Sequence, residues 1–170
     1  MVTGGDHAEV WVVFILRVYV LKELGLSILL VLNLGSTWFM TGLIWFVQIV
    51  HYPQFAGVGT EAFAAYHRRH TTATTWVVGP PMLIEAVTTA LLLWVRPSGM
   101  SMGMAIAGVT LLVIIWASTA LLQVPTHDRL AAGGFNEKSG QWLCRTNWIR
   151  TVCWTARGIL MGWVVLRSIH

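Results

Sequence analysis

The chain has 170 residues, 56% of them hydrophobic and only 11% charged. A soluble domain carries about 25% charged residues, so this composition excludes a surface that faces water throughout. Lys and Arg number 11 against 7 Asp and Glu, but no basic block runs along a polar face. The excess therefore reads as headgroup and topology charge, and nucleic-acid binding is excluded.

Crossing the hydrocarbon layer takes about 20 apolar residues in a helix. In chain order, Val10–Leu21 is apolar but short, is interrupted by Arg17 and is followed by Lys22 and Glu23. It reads as an interfacial helix, or as an extension of the span that follows. Four stretches then qualify as spans, at residues 26–50, 76–94, 105–124 and 148–165. The expected fold is all-α: one integral-membrane four-helix bundle over residues 1–170, multi-pass, with a short N-terminal interfacial helix. Ten tryptophans suit the two membrane interfaces, where an apolar ring with one N–H donor fits best. Cys144 and Cys153 match no paired-cysteine motif and read as unpaired thiols packed in a helix.

Four spans put the connections 51–75 and 125–147 on one side of the membrane. That side holds His51, His67, His70 and His127, four of the six histidines. It also carries Arg68, Arg69, Arg129, Lys138 and Arg145, against Arg17, Lys22, Arg96 and Arg167 opposite. The positive-inside rule leans towards the histidine side being cytoplasmic. His67 and His70, three apart in HRRH, share a helix face and can reach one metal. His51 precedes Tyr52-Pro53 and His127 follows Pro125; each proline is expected to end its helix at the membrane boundary. Imidazoles gathered at one depth suit Fe, Cu or Zn, with Asp128 and Glu61 as further oxygen ligands; the redox metals Fe or Cu are expected here. The alternatives are histidines that hold haem or a pigment, or acid/base groups that need no cofactor. Met100, Met102 and Met104, on the opposite side, read as a loop and helix start more readily than as a Cu(I) site.

Two spans carry polar stripes. At 100° per residue, Asn33, Thr37, Thr41, Gln48 and His51 share one face of the first span. Asn147, Arg150, Thr151, Trp154, Arg157 and Gly158 share one face of the fourth. Such stripes face protein or water, because lipid satisfies no hydrogen bond. Glu85, mid-span, and Arg157 lie at matching depth and form either a structural ion pair or a proton-carrying, substrate-polarising site. Glu85 lies 15 residues after His70, about 22 Å along a helix, so it shares no metal with the histidines.

Two strings, QVPTHDRL after the third span and WLCRTNWIRTVCW at the start of the fourth, resemble the anthrone oxygenase-like family of small four-span membrane proteins. That family tends to show a polar-x-Pro-x-Asn element and a Trp-rich Asn-x-x-Arg element there, matched by Gln123, Pro125 and His127, then Asn147 and Arg150. HYPQF after the first span also fits. The resemblance covers most of the span layout but only about twenty residues of motif. It implies oxygenation of an apolar aromatic substrate. His127 stands where Asn is usual, and HRRH is an addition; both departures favour a bound metal.

The expected function is thus a membrane oxygenase-type oxidoreductase. The four histidines form its metal or acid/base site, while Asn147 and Arg150 orient an oxygenated group. Trp45, Trp76, Trp148 and Trp154 line an apolar cavity, with Trp148, Trp154 and Gln48 against a cofactor. The alternative is a non-catalytic accessory subunit that binds pigment, haem or lipid beside partner membrane subunits.

Overall fold

The computed structural model describes the backbone of residues 5–169 and the side chains of residues 10–168. Every element among them is helical: α1 (Gly5–Phe46), a π turn (Val47–His51), the single turn α2 (Tyr52–Gln54), a 3-10 turn (Phe55–Gly57), α3 (Thr60–Trp94), α4 (Met102–Ser118), a second π turn (Thr119–Gln123), α5 (Val124–Gly133) and α6 (Glu137–Ile169). Three helical stretches, Thr60–Trp94, Met102–Gly133 and Glu137–Ser168, are long and apolar enough to cross a membrane. α1 packs on α3 and α6, and α4 packs on both of those.

The short interfacial helix expected at Val10–Leu21 is absent as a separate element. That segment is the first part of α1, which runs unbroken to Phe46. No proline precedes Pro53, so nothing forces a break. Burial begins near Leu26, and the residues from Val10 to Leu24 project beyond the packed helices.

The prolines also act differently from expectation. Neither Pro53 nor Pro125 stops its helix; each follows a π turn and the chain coils on. Proline lacks an N–H and crowds the carbonyl four residues back. Here the residue before each proline bonds five back instead, Tyr52 N–H to Val47 O and Val124 N–H to Thr119 O. The widened turn makes room for the ring. Such turns are frequent at functional sites.

The interior alternates apolar and polar layers. Leu30, Leu92, Met100, Ala105, Met161 and Val164 pack at the end away from the histidines. Next comes a polar layer around Glu85 and Arg157, then Met40, Ile44, Met82, Ile115, Cys153 and Trp154. The histidines follow, beside a last cluster of Tyr52, Phe55, Phe63, Leu130 and Leu143. The two stripes anticipated on the first and fourth spans meet in this interior: Asn33, Thr37, Asn147, Thr151 and Arg157 are fully buried.

The turn between α3 and α4 passes against the end of α6. A Cβ on Gly99 would fall 2.7 Å from Ser168 N and 2.8 Å from Arg167 C. Backbone gives way at a cost, so Gly99→Ala should destabilise by about 1–3 kcal/mol. Thermal unfolding in mild detergent checks it; an unchanged midpoint would show that the turn is free to move.

Candidate functional site

His51 closes the first π turn, His67 and His70 lie one turn apart on α3, and His127 lies on α5. Three chain segments thus bring four imidazoles together. His51 Nε2 is 2.9 Å from His70 Nδ1, and His67 Nε2 is 3.1 Å from His127 Nδ1. Ring centres are 4.3 Å apart for His51 and His70, 5.1 Å for His67 and His127, and 5.9 Å from His70 to both His67 and His127. Phe55 and Phe63 pack against these rings and exclude water from one side. The Thr74 hydroxyl lies 3.1 Å from His70 Nδ1. The imidazoles are coupled two and two; among the described residues no three His, Cys, Asp or Glu side chains are placed to hold a metal ion as they stand. His67 is fully buried, and its Nδ1 has no partner.

A cavity of about 250 Å³ lies beside this cluster. Met40, Leu43, Ile44, Val47, Val78 and Met82 make its apolar walls, and Tyr52, His70, Gln123, His127 and Arg150 its polar end. Small-molecule sites share this build, apolar walls with a few placed polar groups. The fourth-span stripe supplies Arg150 to the polar end. Arg150 Nη2 donates to Tyr52 Oη at 3.1 Å, Nε donates to Asn147 Oδ1 at 3.0 Å, and Tyr52 Oη lies 3.0 Å from His127 Nε2. Burial pushes the Tyr52 phenol above its ordinary range, against the pull of the Arg150 guanidinium, so it keeps its proton at neutral pH. Burial likewise pushes the His51 imidazole below its usual range.

The other anticipated site residues divide. Asn147 Nδ2 donates to Gln48 Oε1 at 2.9 Å, and Gln48 Nε2 donates to Cys144 O at 3.1 Å. Both are spent on joining α6 to the first π turn; neither lines the cavity, and of the pair with Arg150 only Arg150 reaches it. Trp154 does line it, with its indole N–H donated to Glu85 Oε2 at 3.0 Å. Trp148 and Trp45 pack edge-to-face on the outer surface, and Trp76 projects outward. These three lie on the outer surface and do not line the cavity. Glu85 and Arg157 pair at 2.7 Å, fully buried and away from the cavity. Asp128 reaches the cavity but Glu61 does not. The cysteines are free thiols.

Sequence reasoning passed over Tyr52 and, as a ligand-facing group, Gln123. Each sits at or next to a π turn close to a proline, and a Gln and a His lie in or near each turn, Gln48 with His51 and Gln123 with His127. That grouping is the signal that was available. No protein-family model, curated protein or solved structure matches the chain.

Proposed function

We propose that the chain is a four-span membrane enzyme, an oxygenase-type oxidoreductase whose histidine cluster holds a redox metal, Fe or Cu, beside a cavity for an apolar substrate. The observation that carries this is the gathering of four imidazoles from three segments, two of which, His70 and His127, line a cavity with largely apolar walls. Unpaired histidines scattered at an interface would have no reason to converge there. With metal–nitrogen bonds of about 2.0–2.1 Å, imidazole centres around one tetrahedral ion stand about 5 Å apart. His67, His70 and His127 form a triangle of centres 5.1–5.9 Å apart, and His51 stands 4.3 Å from His70. Turning the rings about χ2 would redirect their nitrogens with little displacement of those centres. Imidazole suits Fe, Cu and Zn alike; the oxygenase chemistry rests on the family resemblance.

The membrane placement is supported by tryptophan. Trp76 and Trp94 on α3 are 78% and 90% exposed. Eighteen residues separate them, about 27 Å of helix, close to the thickness of the hydrocarbon layer. Residues 26–50 of α1 and its π turn supply the fourth crossing. His70 then lies about 9 Å outside the Trp76 level. The cavity runs inward from there to Met82, so an apolar substrate can enter from the bilayer while its polar end meets the histidines.

Elemental analysis of the protein purified in mild detergent, with an absorption spectrum, tests this. Stoichiometric Fe or Cu is expected, lost in His70→Ala and His127→Ala. A Soret or pigment band would instead assign the histidines to axial ligation. Absence of metal after reconstitution would end the metal reading.

A further inference from the structure

Two buried side chains that line the cavity have hydrogen-bonding capacity left over, and they are of opposite kinds. Gln123 is 1% exposed. Its Nε2 donates to Thr146 Oγ1 at 2.9 Å. The Thr146 hydroxyl spends its own proton on Trp142 O at 2.8 Å, so towards Gln123 it only accepts. That fixes the amide: Nε2 faces Thr146, and Oε1 is left buried with no partner. Gln123 lines the cavity. A buried amide oxygen without a donor destabilises a fold, and in a native site it asks for an explanation.

Tyr52 supplies the complement. Arg150 only donates, so Tyr52 Oη accepts from it. The direction of the His127 contact follows from the far end of the chain. His67 Nδ1 is buried with no partner, and a buried N–H without an acceptor is rarer than a bare acceptor. The His67 proton therefore sits on Nε2 and is donated to His127 Nδ1, which leaves the His127 proton on Nε2, aimed at Tyr52 Oη. A metal ion held by His127 Nδ1 would leave the same Nε2–H aimed at Tyr52. In both states Tyr52 Oη accepts twice, and its own O–H is unspent.

We infer that this cavity binds a lipophilic alcohol, an apolar body ending in one hydroxyl that accepts from the Tyr52 O–H and donates to Gln123 Oε1. An ether or ketone of the same shape satisfies Tyr52 and leaves Gln123 unpaired. A hydrocarbon leaves both unpaired. The inference rests on the cavity being the ligand site of the proposed enzyme and is independent of any metal in the cluster.

Decanol, its methyl ether and decane, each added to the purified full-length protein, test it through the shift in thermal unfolding. Metal content is measured on the same sample, so that failure here is distinguishable from failure of the metal reading. In the parent protein decanol should bind about tenfold tighter than the ether. That preference should vanish in Gln123→Met and in Tyr52→Phe, while decane binds all three proteins alike, which shows the cavity intact. Comparing parent and variants cancels partition into detergent. An equal preference for decanol in parent and variants, or an ether that binds as well as the alcohol, would overturn the assignment. So would the absence of any shift with all three probes.

Discussion

Replacing Glu85 by leucine should cost the fold about 3–5 kcal/mol, and replacing Arg157 by methionine as well should recover a large part of that loss. The Glu85 carboxylate accepts from Arg157 Nε at 2.7 Å, from Thr37 at 2.8 Å and from the Trp154 indole at 3.0 Å. Arg157 also donates to Gly108 O and to Thr89 at 3.0 Å. Both side chains are fully buried. In the single variant a fully buried guanidinium would stand mid-bundle with no counter-charge. The double variant removes both desolvated charges together. Thermal unfolding of the two singles and the double decides: a double no more stable than Glu85→Leu would show that the pair itself was not the source of the loss. The same series separates the two readings of Glu85. Both carboxylate oxygens are engaged, and the carboxylate does not line the cavity. A Glu85→Gln variant should therefore lose stability yet keep its metal content and alcohol preference.

What was legible in the sequence was whatever helical periodicity and membrane length dictate. Burial of α1 begins near Leu26, where the helix starts to pack on α3 and α6. The stripes at Asn33–Gln48 and Asn147–Arg157 were readable because polar groups in a span must find partners, and they find one another: Thr41 Oγ1 lies 3.1 Å from Trp154 O, and Gln48 bonds Asn147. The same stripes did not say which members are spent on packing and which remain for a ligand. Gln48, Asn147 and Arg150 look equivalent on a helical wheel. Only the tertiary contacts separate the first two from the third. Likewise the prolines announced an interruption of the helix, but its form, a turn widened by one residue that carries the coil onward, depends on backbone hydrogen bonds that composition does not encode. The extended N-terminal part of α1 had two readings because length alone does not say where a helix ends.

Arg150→Met should cost about 1.5–3 kcal/mol and also weaken alcohol binding, with Arg150→Lys recovering little of either. The guanidinium links the two π-turn systems. Through Nε it meets Asn147, which anchors Gln48 of the first turn, and through Nη2 it meets Tyr52, which touches His127 beyond the second. A lysine keeps the charge but offers one nitrogen where the site uses two, set apart by the planar fork. Methionine keeps much of the apolar stem and removes every donor. Without Arg150 the Tyr52 oxygen loses an acceptor bond, its O–H is free to turn away from the cavity, and His127 loses the group that fixes its partner. Alcohol-over-ether preference should therefore fall with stability in both variants, while decane still binds. Full restoration of that preference by lysine would mean that the charge alone orients Tyr52. An unchanged preference in the methionine variant would mean that His127 and the packing around Phe55 hold the phenol without help from α6.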